Sequence, residues 1–165
     1  MRKILLLVCF LPVFGYAQKI PDWGFNKIRI ADGDKKIEAE ILPLTSPPTA
    51  RPRLVYYWYS ANIIHATQGG YSGKLLNGKY SEYYPDKNLE EQGIYNKGLK
   101  DGVWKTWTDN GILTATYTWD NGIRSGHFVL YDEQGRVRQS GKYRNDVIDS
   151  VSFWHRINIF KKKRH

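Results

Sequence analysis

The feature that most constrains this chain is a self-similarity at an interval of 24 residues. Gly78, Gly102 and Gly126 are spaced by 24, and Tyr80, Trp104 and Phe128 keep that spacing two residues further on. Tyr83, Trp107 and Tyr131 repeat it, as do Leu89, Leu113 and Val137, and then Tyr95, Trp119 and Tyr143. A period of this length marks a repeat architecture. Each unit is one supersecondary element that buries its apolar face only against its neighbours. An upstream segment joins the register more weakly: Tyr56, Tyr59 and Tyr71 precede Tyr80, Tyr83 and Tyr95 by the same step, while His65 falls in the leucine column. The reading is four units at 56–71, 80–95, 104–119 and 128–143, with a degenerate fifth start at Ser150–His155 serving as a cap.

Each unit reads as a β-hairpin. Gly102 to Trp107 alternates and is rich in aromatics, and Leu113 to Trp119 alternates again with threonines between. Asp109-Asn110-Gly111 and Asp120-Asn121-Gly122 supply residues that tolerate positive φ at the reversals. No helical period occurs over 54–155. Strand alternation assigns faces. Residues 113, 115, 117 and 119 share a side, so the leucine column is expected to face the same way as the Tyr95/Trp119/Tyr143 column. Positions 104 and 107 differ by three and face opposite ways, so both sheet faces carry an aromatic ladder. One ladder is expected to be buried and the other partly open.

The units resemble MORN-type repeats, in Gly78-x-Tyr80-x-x-Tyr83, Gly102-x-Trp104-x-x-Trp107 and Gly126-x-Phe128-x-x-Tyr131, with the lead-in Tyr95-Asn96-x-Gly98-x-x-x-Gly102. The likeness extends over about 54–145. It is nearest to the MORN variant of bacterial proteins often labelled YwqK-type antitoxin components. It implies an all-β fold: tandem antiparallel hairpins in one elongated curved sheet, without helix outside a leader. For function it implies a lipid-contacting, partner-binding or scaffolding module. Asp146 replaces the turn glycine of the last unit, and Ser150 and Ser152 replace the glycine and aromatic that should follow, as suits a cap.

The N-terminus points to export. Arg2 and Lys3 precede an apolar run from Ile4 to Phe14, and Gly15 and Ala17 provide the small residues of a cleavage site before Gln18. The run is too short for a spanning helix, which needs about 20 residues. The expected location is the periplasm, the outer-membrane surface or the exterior, and this argues against a cytosolic antitoxin. Cys9, the single cysteine, lies in the leader, so a mature chain from Gln18 has no disulfide or cysteine chemistry. Without Arg2 and Lys3, 23 basic and 16 acidic residues leave a net charge of +7. In an exported protein this charge favours anionic lipid or acidic glycan over nucleic acid. Arg156, Lys161, Lys162, Lys163 and Arg164 concentrate it in a terminal tail.

The domain reading is therefore a leader at 1–17, a segment with a proline-rich link at 18–53, the repeat array at 54–149, and cap and tail at 150–165. Within 18–53, Ile28–Ile30 and Ile37–Leu42 read as short strands around Asp32-Gly33-Asp34, either a hairpin covering the array's first edge or a loose spacer. Trp23 is a possible anchor onto an open sheet face.

Convergent catalytic groups are scarce. His65, His127, His155 and His165 have no ligand spacing, and the serines before Gly73, Gly126 and Gly141 lack a nucleophile elbow. Asp86, Asp101, Asp109, Asp120, Asp132 and Asp146 recur with the turns, as turn chemistry requires. The expectation is no catalytic residue, no metal and no cofactor. Aromatic side chains offer contact area at low entropic cost. The candidate binding residues are thus Trp58, Tyr80, Tyr83, Trp104, Trp107, Trp119, Phe128 and Tyr131, with the basic tail as electrostatic support. The expected function is a non-catalytic module binding an envelope protein, a glycan or an anionic lipid surface. A self-associating structural adaptor, an antitoxin-like role and an envelope glycan hydrolase are the alternatives.

Overall fold

The computed structural model describes residues 26–41, 44 and 46–153. The expected leader, Trp23, the chain beyond Phe153 and its basic tail (Arg156, Lys161, Lys162, Lys163 and Arg164) lie outside the described residues. Twelve strands are present: β1 (Lys27–Asp32), β2 (Lys35–Glu40), β3 (Val55–Ser60), β4 (Ile63–Gln68), β5 (Lys74–Leu75), β6 (Gly78–Tyr83), β7 (Leu89–Asn96), β8 (Leu99–Trp107), β9 (Leu113–Asp120), β10 (Ile123–Tyr131), β11 (Val137–Arg144) and β12 (Val147–Phe153). No helix occurs among the described residues, and so none that could cross a membrane.

Nine strands form one open antiparallel sheet in the order β1-β2-β6-β7-β8-β9-β10-β11-β12. The hairpin at 27–40 is part of it: β2 pairs with β6 through Ala39↔Tyr80 and Lys36↔Tyr83 and covers the first edge of the array. The weak unit at 56–71 stands apart. Strands β3, β4 and β5 form a separate three-stranded sheet, ordered β4-β3-β5. The hairpin of that unit turns through only two residues, Ala61 and Asn62, both at positive φ. The edge of β6 that it would need is taken by β2.

The 24-residue period recurs in the backbone hydrogen bonds. At one end of the sheet, two-residue turns place Lys97 and Gly98, Asn121 and Gly122, and Asn145 and Asp146 at positive φ, as tight hairpin turns that match strand twist require. The second residue of each donates its amide to the unit before: Gly98 to Leu76 O, Gly122 to Lys100 O and Asp146 to Arg124 O, at 2.7, 2.8 and 2.9 Å. At the other end the turns span Tyr84–Asn88, Thr108–Ile112 and Asp132–Arg136, each closed by equivalent bonds. These repeated bonds fix the stacking of units independently of their side chains.

One face of the large sheet makes the core. Ile30, Ile37, Ala39, Leu76, Tyr80, Tyr95 and Trp104 cluster there, and Tyr57, Tyr59 and Ile64 of the three-stranded sheet pack onto them. The Tyr57 and Tyr95 rings lie 4.9 Å apart. A second cluster, Leu54, Tyr56, Leu75 and Leu99, seals the joint at the short-turn end. There Tyr57 N donates to Gly98 O, and a side chain at Gly98 would collide with Leu75. This sealed face is called inner and its reverse outer.

Candidate functional site

The register shows how the two aromatic ladders divide between the faces, since direct antiparallel partners share a side. Tyr80 opposes Gly93, Trp104 opposes Tyr117, and Phe128 lies between Tyr117 and Gly141, all on the inner face. These three are buried, with 6%, 2% and 2% of their surface exposed. Gly93 is needed for this packing: a Cβ there would collide with the Trp104 indole. The outer ladder pairs Tyr83 with Leu89, Trp107 with Leu113 and Tyr131 with Val137. Its three aromatics are only partly buried and belong to neither core cluster.

The leucine column corrects an expectation. Strict alternation would put Leu89, Leu113 and Val137 on the face of Tyr95, Trp119 and Tyr143. Each unit instead has a β-bulge just before the long turn, with register shifts at Glu82/Tyr83, Thr106/Trp107 and Leu130/Tyr131. The extra residue reverses the alternation beyond it. The leucine column therefore stands beside the outer aromatics and makes that ladder a continuous apolar row.

The remaining aromatic candidates lie on the inner face or on the small sheet. Trp119 packs at the border of the core, and Lys100 Nζ sits 5.7 Å from its ring and 3.9 Å from that of Trp104. Trp58 stacks on His65 at 4.2 Å and donates Nε1–H to Thr67 Oγ1 at 2.8 Å. Both are engaged within the fold. Of the eight aromatic candidates, Tyr83, Trp107 and Tyr131 alone form an open row.

The aspartates cap turns. Asp132 Oδ1 accepts from the amides of Gln134 and Arg136, and Asp86 Oδ1 accepts from that of Asn88. The Arg136 amide bond, foremost, holds the Asp132 carboxyl below its usual range. A reading confined to these aspartates overlooks the inner-face glutamates. Glu82 and Glu91 are direct cross-strand partners, and Glu90 occupies the bulge beside them. Like charges directly opposed are unfavourable, and two lysines answer them. Lys35 Nζ reaches Glu82 at 3.1 Å and Glu90 at 2.8 Å, and Lys100 Nζ reaches Glu91 at 2.7 Å. The hydrogen bond to Glu90 raises the Lys35 pKa, and burial, followed by the charge of Glu82, raises that of Tyr80. Each carboxylate thus reaches a lysine, but three glutamates share two lysines and Glu90 Oε2 is buried without a hydrogen-bond partner. The sequence signal for them is three glutamates within strands rather than turns.

The outer face has the opposite balance. Lys79, Lys105 and Lys142 lie on it and form no ion pair among the described residues. Between Lys79 and Lys105 is a groove of about 540 Å³, walled by Ser81, Gln92, Ile94 and Val103. Ile94 and Val103 are 49% and 52% exposed. The described residues contain no group of three or more His, Cys, Asp or Glu placed to hold a metal ion.

No family model matches the chain, and no curated protein matches it. Among solved structures, a chain of the Glycosylation Associate Protein (Gap123) complex from Streptococcus agalactiae is similar at 16% identity, over 64% of this chain and 20% of that one. Its TM-score is 0.31. The chain thus spans a fifth of that neighbour, and a likeness at this level carries no argument.

Proposed function

We propose that this chain is an exported, non-catalytic binding module of the MORN-variant kind that engages an envelope protein or glycan through its outer aromatic ladder. The observation that carries the reading is the contrast between equivalent columns: Tyr80, Trp104 and Phe128 are sealed, whereas Tyr83, Trp107 and Tyr131 on the same strands stay partly open. Aromatics held open on a rigid sheet bind with little loss of side-chain entropy. The basic tail adds attraction to an anionic surface, about 1 kcal/mol for each cation close to it.

The test is capture of envelope material by the exported chain and by its Trp107→Ala variant. The reading expects Trp107→Ala to lose capture while keeping the circular dichroism of the parent. Undiminished capture by a folded Trp107→Ala variant rejects the ladder as the binding surface. Capture that ignores salt and survives deletion of 161–165 rejects the role of the tail.

A self-associating scaffold is the second reading, favoured by β12. This edge strand exposes Val147, Ile148 and Val151 at 68%, 50% and 40%. Long apolar edges pair with other strands unless charge blocks them. Sedimentation of Ile148→Lys against the parent separates the readings: a shift from dimer to monomer supports the scaffold, and a monomeric parent rejects it.

A further inference from the structure

We infer that the outer-face groove between Lys79 and Lys105 is a subsite for a linear polysaccharide bearing carboxylates. This rests on the outer face being the binding face and names the chemistry it takes.

The argument begins with charge. The strand glutamates Glu82, Glu90 and Glu91 are paired with lysines on the inner face. Lys79, Lys105 and Lys142 are left without carboxylate partners among the described residues. Glu40 of β2 accepts the backbone amide of Lys79 at 2.9 Å, and Asp101 accepts the Asn121 amide at 3.2 Å, so both carboxylates are held to backbone rather than to a lysine ammonium. Beyond Lys79 a neighbouring depression carries charges of both signs, with Lys27 and Arg29 beside Glu38 and Glu40 of β2.

Spacing and lining select the kind of polyanion. Lys79 is on β6, Lys105 on β8 and Lys142 on β11, so at a strand separation of about 4.8 Å the cations recur at about 10 and 14 Å across the sheet. That is a sparse array, matched by every second or third charge of a linear polymer that carries one carboxylate on each sugar. Between the cations stand the hydroxyl of Ser81 and the amide of Gln92, with Ile94 and Val103 as apolar walls. Sugar rings present these same surfaces, hydroxyls at the rim and C–H groups on the face. Trp107 lies two residues from Lys105 on the same side of β8, so a bound chain reaching past the groove meets a ring on which to stack. A membrane fits less well, because the groove itself sets two aliphatic residues between a hydroxyl and an amide rather than offering a continuous apolar surface.

The experiment titrates the exported chain with polygalacturonate and with its fully methyl-esterified, uncharged form, in low salt. The parent should bind the acidic polymer at least tenfold more tightly than the ester. Lys79→Gln/Lys105→Gln should abolish that preference. Lys74→Gln/Lys87→Gln, which removes the same charge from elsewhere, should stay within twofold of the parent. Equal affinity for the two polymers, with no effect of Lys79→Gln/Lys105→Gln, overturns the charged subsite but leaves the aromatic face standing. Full binding of both polymers by a folded Trp107→Ala variant overturns the aromatic face. Binding only to phosphatidylglycerol vesicles, or to neither polymer, overturns the subsite.

Discussion

Two aromatic ladders run along the same strands three residues apart, and they meet different fates. Tyr80, Trp104 and Phe128 lie over glycines or against neighbouring rings: Gly93 makes room for Trp104, Gly141 for Phe128, and Tyr80 meets Tyr95 edge-on. Tyr83, Trp107 and Tyr131 follow a β-bulge that moves an aliphatic partner to their side, and they remain outside the core. The inner ladder, with the three-stranded sheet against its first part, holds the units together. The outer ladder contributes less to folding and has surface to spare. Similar residue types in similar periodicity thus divide into a buried and a partly exposed ladder according to what faces them.

The contrast is broken or sharpened most strongly at Trp104. Trp104→Ala should destabilise the chain by about 3–5 kcal/mol, as for other buried tryptophans, read from urea unfolding. A loss close to that of Trp107→Ala removes the distinction. Gly93→Ala tests the same packing from the opposite strand. The new methyl must displace an indole that has little freedom, so a loss of about 1–3 kcal/mol is expected. A neutral outcome would show that the inner ladder has slack.

Titration tests the burial of the inner face as well. Burial, foremost, raises the pKa of Tyr80 and of Tyr95. A tyrosine whose folded pKa exceeds its unfolded value stabilises the fold fully below that unfolded value, near 10. The contribution falls as pH rises towards the folded pKa. Stability should therefore decline above pH 10 with a slope on the order of 1 kcal/mol per pH unit for each buried tyrosine. Tyr95→Phe should flatten the alkaline limb, as measured by urea midpoints across pH. The smallest effect belongs to the outer row. Trp107→Ala should cost about 1 kcal/mol, because only part of the ring leaves water on folding. A loss above about 3 kcal/mol would make Trp107 a core residue.

The sequence makes the hairpins legible because turn chemistry and aromatic spacing repeat together. Asn121-Gly122 and Gly111 state their own backbone conformations, and the structure has positive φ at each. The partition into two faces was also readable, from the odd interval between Trp104 and Trp107. Three features were not readable. A bulge leaves no residue-specific mark at Glu90 or Thr114, so alternation carried through it misplaced Leu113. The segment around Tyr56 keeps the aromatic spacing, yet strand pairing depends on which edge is free, and β2 occupies the edge of β6. The lysine groove arises from Lys79 and Lys105 on separate hairpins, with no local pattern linking them.

Hydroxyl-radical footprinting of the folded chain, with each aromatic read by mass spectrometry, tests the division of the ladders most directly. Trp107 should be oxidised many times faster than Trp104, with Tyr83 and Tyr131 reactive and Tyr80 and Phe128 protected. Equal protection of Trp107 and Trp104, or rapid oxidation of Trp104, would contradict a sealed inner ladder and an open outer one.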